Sequence, residues 1–438
     1  MGHDLHEKIS ILSGAAKYDA SCATSGSSGF KGQGGNKLGA TLPMGVCHSW
    51  TEDGRCVSLL KVLYSNVCKY DCAYCVNRSS ADIKRSSFTV QELADLTCEF
   101  YRRNYIEGLF LSSGIFSDPD IVMDKLIETA KTLRTESGFG GYIHLKLIPG
   151  TGENQIREAG KWADRLSVNI ELPTEKSLNC LAPEKSKKTI LGAMNDFCGI
   201  KCEHEEQREK INFLPQGKSK TPYFSPAGQS TQLIVGATNE NDRQIINLSS
   251  SLYNKFSLKR VYYSAFIHPG SLSRSGLFKE PGSSAKLSDP RLPDTVGPPL
   301  VREHRLYQAD WLLRFYHFKA NEILSEDEPF LDTHIDPKTS WALKNLDFFP
   351  IEINRADYDT LLRIPGIGAK TARRVIETRR SRSLSMENLH RIGATLKRAR
   401  YFITAGGSYI ERPDDPVRIR RLLSDTDGAG LQLPLFEF

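Results

Sequence analysis

Residues 68–75 read CKYDCAYC, which places Cys68, Cys72 and Cys75 in one short segment. They follow an apolar run over 57–63 that is typical of a buried strand. Thiolates this close in a loop can converge on one iron–sulfur cluster, and three of them leave one iron of a four-iron cluster without a protein ligand. An iron without a protein ligand can bind another molecule and take part in a reaction. The alternative is that three reduced or disulfide-bonded cysteines merely lie close together.

Composition places the chain among ordinary globular proteins. It has 438 residues, 39% hydrophobic and 25% charged, a length that fits two or three domains. Ten cysteines are too few for a disulfide-stapled secreted scaffold. The first residues lack a basic segment followed by an apolar one, and no run of about 18 apolar residues occurs. We therefore expect a cytoplasmic protein with no membrane segment.

Short aliphatic runs alternate with segments of helical periodicity from residue 57 onward. The six runs lie at 57–64, 107–112, 142–148, 165–171, 231–236 and 260–266, and the helical segments include 89–103 and 119–133. This alternation predicts an α/β fold with a parallel sheet, and six such units indicate a barrel or partial barrel. Chemistry in such folds collects at the carboxyl ends of the strands.

The spacing of the three cysteines, with Tyr74 before the last, resembles the signature of the radical SAM (S-adenosylmethionine) superfamily. The resemblance implies a partial (β/α)6 TIM-like barrel over residues 56–300. It also implies that Cys68, Cys72 and Cys75 hold a [4Fe-4S] cluster whose fourth iron binds the amino and carboxylate groups of S-adenosylmethionine. An electron donor of the flavodoxin or ferredoxin type is then required.

The same resemblance predicts a pocket for S-adenosylmethionine at the strand ends. Residues 112–114 occupy the place of the superfamily's Gly-Gly-Glu segment but depart from it, so backbone carbonyls or serine hydroxyls would serve there. Asn169 and Glu171 share one strand face and suit the ribose hydroxyls or the carboxylate. A glycine at 236 lets an adenine lie against the backbone. The predicted cofactor-binding residues are Tyr74, Ser112, Ser113, Gly114, Asn169, Glu171 and Gly236.

Catalytic residues stay open, with His144, Lys146, Tyr262 and Cys98 as candidates. His144 and Lys146 are two apart on the third strand and therefore share a face. A basic pair inside a barrel is costly unless it meets a ligand. The alternative is that both point outward into solvent. A cysteine is a candidate because a thiol can give a hydrogen atom to a product radical.

A second cysteine group comprises Cys180, Cys198 and Cys202, with His204 nearby. Four soft or borderline ligands could hold an auxiliary metal. The helix-rich composition around 185–210 equally permits a surface helix with stray thiols.

Positive charge concentrates near the C-terminal end. Residues 351–410 contain twelve Lys or Arg against five Asp or Glu, whereas the net charge of the whole chain is +6. A local cationic region favours polyanion binding. Within it, residues 361–373 read LLRIPGIGAKTAR.

This segment resembles the helix-hairpin-helix motif, in which a Pro-Gly-x-Gly turn and the following helix N-terminus bind a phosphate. The predicted DNA contacts are Ile364, Gly366, Gly368, Lys370, Thr371 and Arg373. A weaker second copy over 389–400 makes residues 346–410 resemble an all-α paired helix-hairpin-helix domain. Such contacts position DNA without reading sequence. The alternative is a helical hairpin used for protein contacts.

Three further segments complete the predicted organisation. Residues 1–55 form an N-terminal extension whose Gly/Ser-rich part, 21–39, is predicted to be flexible. Residues 301–345 form a helical connector whose apolar stripe is predicted to pack between the domains, and this stripe comprises Leu306, Trp311, Leu312 and Phe315. The tail, 411–438, ends in QLPLFEF and resembles a bacterial sliding-clamp-binding peptide; its contact residues are Gln432, Leu433, Leu435 and Phe436.

From about residue 40 the chain resembles a family of radical SAM proteins assigned to DNA modification or repair. The resemblance implies a 5′-deoxyadenosyl radical that repairs or modifies a nucleotide in DNA. It implies DNA, the sliding clamp and another DNA-repair enzyme as partners, and a nucleoid-associated location. Two alternatives remain: modification of structured RNA, or a DNA-binding protein whose cluster senses redox state or holds structure.

Overall fold

The structure, a computed structural model, describes residues 4–17, 46–50, 56–212, 223–269, 289–294, 297–409 and 415–427. It divides into two compact units: residues 1–240 with 251–299 form the first unit, and residues 241–250 with 300–438 form the second unit. The predicted flexible loop at 21–39 and the predicted clamp peptide at 432–436 lie outside the described residues. No helix in the part of the chain that is described is long and apolar enough to cross a membrane.

A seven-stranded sheet forms the centre of the first unit, and its strands follow one another in chain order. They are β1 (Val46–Trp50), β2 (Cys56–Leu63), β3 (Gly108–Ser112), β4 (Tyr142–Lys146), β5 (Arg165–Ser167), β6 (Gln229–Val235) and β7 (Arg260–Ala265). Strand β1 pairs antiparallel with β2, and β2 to β7 pair in parallel. The predicted α/β fold with a partial barrel of six parallel strands is therefore confirmed, while β1 was not predicted.

The first unit also contains helices. They are α1 (Leu5–Lys17), α2 (Val90–Arg102), α3 (Pro119–Thr135), α4 (Glu153–Trp162), α5 (Glu175–Leu181) and α6 (Lys187–Asn212), and residues 251–256 of α7 (Asp242–Phe256) belong to it as well. Helix α2 begins at a capping box, because Thr89 accepts from the Glu92 amide and the Glu92 side chain accepts from the Thr89 amide. Asp118 caps α3, and Pro119 follows it at the first helical position. Both predicted helical segments are confirmed.

The second unit is mainly helical. Its elements are α8 (Leu300–Phe315), α9 (Ala320–Ile323), α10 (Pro337–Lys344), a short 3-10 helix (Leu346–Phe348), β8 (Ile351–Glu352), α11 (Tyr358–Arg363), α12 (Ala369–Arg379), α13 (Met386–Arg391), α14 (Leu396–Ala399), β9 (Ile403–Thr404) and α15 (Pro416–Asp427). Strands β8 and β9 pair in parallel, so the prediction that residues 346–410 are all-α is wrong in this respect.

The predicted packing stripe on α8 is only half present. Leu306 and Leu312 are buried, with 0% and 4% of their surfaces exposed. Trp311 and Phe315 remain 37% and 42% exposed, so only part of the stripe is buried. Periodicity placed all four residues near one face, but it does not reveal which of them the neighbouring elements cover.

Candidate functional sites

The carboxyl ends of β2 to β7 surround a cavity in the first unit. Its volume is about 1250 Å³, including the solvent at its open mouth. Cys68, Cys72 and Cys75 line it together with residues from the ends of the parallel strands. We call residues 68–75 the cluster loop. This arrangement agrees with the general position of active sites in parallel α/β folds.

Backbone hydrogen bonds tie the cluster loop to the segment that follows β3. The amide of Gly114 donates to the Ser65 carbonyl at 2.7 Å, and the amide of Lys69 donates to the Ile115 carbonyl at 2.8 Å. In return, the Ile115 amide lies 3.4 Å from the Cys68 sulfur. The two segments therefore form one wall of the cavity, and a change in either moves the other.

Arg85 joins the two chain segments that flank the cluster loop. Its guanidinium donates to four backbone carbonyls: those of Asn66 at 2.6 Å, Asn77 at 2.8 Å, Arg78 at 2.6 Å and Ala81 at 3.1 Å. A rigid planar donor is well suited to holding several carbonyls at once. Sequence reasoning missed Arg85, since no motif distinguishes it from any other arginine near a loop.

The cysteines have the surroundings of cluster ligands. Burial raises the pKa of the Cys72 thiol to about 11 and that of Cys75 to about 12, so both are protonated thiols when no metal is bound. Metal binding deprotonates such ligands. The Asn77 amide lies 3.4 Å from the Cys75 sulfur, and hydrogen bonds of this kind stabilise the sulfurs of iron–sulfur clusters. The buried Asn77 Oδ1, which has no hydrogen-bond partner, also belongs to a residue that lines the cavity.

These features fit a four-iron cluster. Among the residues that the structure describes, no group of three or more His, Cys, Asp or Glu side chains is close enough to hold one metal ion. A four-iron cluster is larger, and its three thiolates attach to different irons, so their sulfurs stand further apart. Cys68, Cys72 and Cys75 would hold it here.

The second cysteine group is not arranged as a metal site. Cys180 is exposed on α5, and Cys198 and Cys202 lie one turn apart on α6. The Cys198 thiol donates to the Phe256 carbonyl at 3.0 Å. The structure thus does not bring the predicted auxiliary ligands together into a group that could hold a metal.

An ion pair with a strained backbone lies beside the cluster loop. The Lys185 ammonium is 2.6 Å from the Glu171 carboxylate, and both side chains are about nine-tenths buried. Burial lowers the pKa of Lys185, but the negative charges of Glu171, Tyr74 and Cys72 together with the hydrogen bond to Glu171 outweigh burial and hold the pKa well above its usual value. Glu171 has a φ of 64°, which a residue other than glycine rarely adopts. Strain of this kind collects at functional sites.

Lys185 also reaches the aromatic residue of the cysteine motif. Its ammonium lies 5.8 Å from the centre of the Tyr74 ring and 3.5 Å from the Tyr74 hydroxyl. Sequence reasoning named Glu171 and Tyr74 but missed Lys185. The lysine precedes α6 in a segment of ordinary composition, and only the fold brings it to the cavity.

The structure brings together most of the predicted pocket. The predicted residues that line the cavity are Tyr74, Ser112, Ser113, Gly114, Lys146, Asn169 and Glu171. Gly236 is not among its described lining. Its φ is +87°, and a Cβ there would lie 2.8 Å from the Pro299 side chain. The group that lies against this glycine is therefore Pro299.

The remaining catalytic candidates lie away from the cavity lining. Cys98 is buried within α2, and Tyr262 packs under the guanidinium of Arg260, 5.0 Å from its ring centre. His144 is 5% exposed; its Nε2 shares a 2.7 Å hydrogen bond with the Ser167 hydroxyl, and its ring stacks on Phe110. The alternative that His144 faces solvent is therefore wrong.

Gly114 offers a test of the contact between the cluster loop and the segment that follows β3. A Cβ built there lies 2.4 Å from the Val67 carbonyl oxygen, which is backbone and cannot turn away. We expect Gly114→Ala to displace the cluster loop and to lower the iron content of the anaerobically reconstituted protein by more than half. Gly140→Ala is the matched control, because a Cβ there meets nothing within 4 Å. Full iron content in Gly114→Ala would contradict this account.

A second candidate site lies in the second unit, at the turn over 364–368 between α11 and α12, which we call the hairpin turn. Gly366 has a φ of +81°, and a Cβ there would meet the Thr395 carbonyl oxygen at 2.5 Å. Helix α12 begins at Ala369, and its N-cap residue, Gly368, has no side chain that could accept from the first amide groups, which suits an anion at that end. Lys370 and Arg373 are exposed beside it.

Two of the residues predicted to contact DNA, Ile364 and Thr371, have buried side chains. Ile364 is fully buried, and Thr371 is 7% exposed with its hydroxyl donating to the Gly393 carbonyl at 3.0 Å. Gly393, with a φ of +99°, lies between α13 and α14, so Thr371 joins the two helix pairs. Both side chains are therefore buried within the hairpin, and the contact of these two residues with DNA stays a prediction.

Lys338 is a buried lysine that holds the hairpin turn through a hydrogen bond. Its ammonium donates to the Ile367 carbonyl at 2.6 Å and lies 4.6 Å from the centre of the Tyr316 ring. Burial lowers the pKa of Lys338 to about 7. The side chain is therefore neutral for much of the time at physiological pH, yet it still has a hydrogen to donate.

This lysine makes stability depend on pH. In the unfolded chain the lysine keeps its proton to about pH 10.4, whereas in the folded unit it loses it near pH 7. Between these values the unfolded state binds more protons, so stability rises with pH by up to about 1.4 kcal/mol per pH unit. Denaturant unfolding across this range should show the rise in the native protein and its loss in Lys338→Met. An unchanged slope in the variant would assign the effect to another group.

The comparisons with known proteins bear on the first unit. Residues 53–154 match a family model described as a 4Fe-4S single cluster domain, and this range contains all three cysteines of the cluster loop. The match supports an iron–sulfur cluster at that position. No curated protein matches the chain.

The solved structures that are similar to part of the chain include two of HydG and one of coproporphyrinogen III oxidase. HydG, a maturase of the [FeFe]-hydrogenase, has 13% identity and a TM-score of 0.37 over 57% of this chain and 48% of that chain. HydG from Carboxydothermus hydrogenoformans has 14% identity and a TM-score of 0.34 over 51% and 49%. Coproporphyrinogen III oxidase (HemN) from Escherichia coli, a radical SAM enzyme, has 13% identity and a TM-score of 0.32 over 57% and 51%. The chain spans about half the length of each, and likenesses this distant assign no activity.

Proposed function

We propose that this chain is a radical SAM enzyme that generates a 5′-deoxyadenosyl radical to repair or modify a nucleotide in DNA. One observation carries the proposal: the three cysteines and the polar residues from the strand ends line a single cavity. When bound, the [4Fe-4S] cluster and S-adenosylmethionine supply one-electron cleavage of the sulfonium and hydrogen abstraction from an unreactive carbon. The protein supplies placement and the exclusion of water.

The cavity residues divide these tasks. Cys68, Cys72 and Cys75 would hold the cluster, while Asn169 and Glu171 suit the ribose hydroxyls of S-adenosylmethionine. Lys185 suits its carboxylate, since the ammonium is held charged by Glu171 and is already desolvated. Apolar lining from residues 147–149 and 265–267 would keep water from the reacting carbon.

The second unit supports a nucleic acid as substrate. The uncapped N-terminus of α12, the tight turn at Gly366 and the exposed Lys370 and Arg373 suit one phosphate of a backbone. Of the residues predicted to bind DNA, Gly366, Gly368, Lys370 and Arg373 retain that role in this proposal. A base flipped from its stack is the form in which a nucleotide would enter a barrel cavity.

Several partners belong to the proposal. A flavodoxin- or ferredoxin-type protein would deliver the electron, and another DNA-repair enzyme would act on the same lesion. The bacterial sliding clamp would bind residues 432–436, which lie outside the described residues.

The test is release of 5′-deoxyadenosine by the anaerobically reconstituted, reduced protein with S-adenosylmethionine. We expect DNA to stimulate the release and RNA of matched length to stimulate it less. Stimulation by RNA alone would favour the RNA-modifying alternative. No release under any condition, with DNA binding intact, would favour a structural or redox-sensing cluster.

A further inference from the structure

Helix α8 ends in an exposed aromatic pair, Trp311 and Phe315, one turn apart. Their ring centroids lie 4.3 Å apart at an interplanar angle of 45°, and more than a third of each residue is exposed. Single exposed apolar residues are ordinary, but two packed aromatic rings at the surface form a contact area. The rest of the predicted stripe on α8 is buried, so this pair is a distinct feature.

One side chain connects this pair to the hairpin turn. The Tyr316 hydroxyl lies 3.2 Å from the position that a Cβ on Gly368 would take, and Gly368 is the residue immediately before α12. The end of α8 that carries the aromatic pair therefore stands beside the helix N-terminus that the proposed function assigns to a phosphate, and all these residues belong to the second unit.

The rings are held in place before any ligand arrives. The Trp311 indole packs against the Phe315 ring, and the Arg314 guanidinium lies 4.6 Å from the centre of the Phe315 ring. Arg314 is itself fixed by Asp310, at 2.8 Å. A fixed aromatic ring loses little conformational freedom on binding, which favours contact with another flat surface.

Exposed positive charges at the start of α12 indicate which kind of partner the aromatic pair would bind. Lys370 and Arg373, with Arg374 next to them, are exposed at the start of α12. A partner that presents anions at one point and a flat aromatic surface at the next matches both halves of this surface. A nucleic acid with an unpaired base has these two groups on one strand, since base and phosphate belong to the same nucleotide unit.

We propose that Trp311 and Phe315 form a stacking surface for an unpaired base of the nucleic acid whose backbone the hairpin turn binds. This inference rests on the proposed function, because the turn must bind a nucleic-acid backbone. It adds a preference for strands with an unpaired or displaced base, which the hairpin turn alone does not provide. Such stacking is tolerant of base identity.

The test compares three labelled probes of equal length by fluorescence anisotropy with the full-length holoprotein: a paired duplex, the same duplex with one unpaired base, and a single strand. Trp311→Ala should weaken binding of the two unpaired probes about tenfold and change duplex binding by less than about twofold. Phe315→Ala should act in the same direction, and Trp311→Phe should keep most of the affinity.

Tyr316→Phe is the control for an indirect effect, since it removes the hydroxyl but keeps the ring. If it reproduces the loss seen in Trp311→Ala, or if Trp311→Ala weakens all three probes equally, the tryptophan merely positions the turn and the inference is wrong. Unchanged nucleic-acid binding in both alanine variants would assign the pair to a protein partner instead. Failure of the unmodified protein to bind any probe would overturn the proposed function as well.

Discussion

Replacing Cys72 by alanine is expected to abolish cluster binding and S-adenosylmethionine cleavage while leaving DNA binding intact. Cys72 is the most buried of the three cavity thiols, so no outside ligand replaces it readily. Two cysteines hold a four-iron cluster poorly, and iron content should fall from about four per chain to near zero. Release of 5′-deoxyadenosine should fall to background.

Cys202→Ala is the matched control, because Cys202 is exposed on α6 and is not part of the described cavity lining. It should keep full iron content and activity. Retention of a cluster with the same spectrum in Cys72→Ala would mean that other residues hold it. Equal loss of iron in the two variants would restore the second cysteine group as a metal site.

Substitution of Gly366 should weaken DNA binding and leave S-adenosylmethionine cleavage intact, which is the reverse of the effect expected for Cys72→Ala. In Gly366→Ala the added Cβ meets the Thr395 carbonyl at 2.5 Å, and the φ of +81° is strained for any residue with a side chain. The turn must therefore shift, and we expect DNA affinity to fall at least tenfold while cleavage of S-adenosylmethionine without substrate is unchanged. Binding isotherms and 5′-deoxyadenosine release measure the two effects.

Gly406→Ala is the control that separates the effect of a positive φ from the effect of a steric clash of the added Cβ. Gly406 also has a positive φ, of 61°, but a Cβ there meets nothing within 4 Å. Its effect on DNA affinity should be small. If both glycine variants bind DNA as the unmodified protein does, the hairpin turn is not the contact, and the helical hairpin belongs to a protein interface.

Lys370→Glu probes charge at the same turn. Because Lys370 is exposed beside the start of α12, its replacement should weaken binding across all DNA sequences and reduce the slope of log affinity against log salt by about one. Lys131→Glu makes the same change of charge at an exposed position on α3 and should leave the slope unaltered. An unaltered slope in Lys370→Glu would place the phosphate elsewhere.

The sequence predicted an element well where the same physical requirement determines both the residue pattern and the structure. Six aliphatic runs become six parallel strands because a strand covered on both faces must be apolar along its whole length. Thr89 and Asp118 begin helices because their side chains satisfy free amide groups. Cys68 to Cys75 reach the cavity because they follow a strand at its carboxyl end.

Contacts between residues distant in the chain could not be predicted in this way. Lys185 meets Glu171, and Arg85 holds four carbonyls, only after the fold has brought them together. Gly236 was assigned to a ligand because glycine permits a close approach, but the approaching group is Pro299. Trp311 shows the reverse error: helical spacing predicted burial, and the fold leaves the ring exposed.

The central claim is that radical chemistry in the first-unit cavity acts on a nucleotide in DNA. Mass spectrometry of nucleosides from DNA incubated with the reduced, reconstituted protein and S-adenosylmethionine tests it most directly. The account predicts at least one nucleoside of altered mass that is absent from reactions with Cys72→Ala. Release of 5′-deoxyadenosine in the presence of DNA, with every nucleoside unchanged across damaged and undamaged substrates, would contradict it.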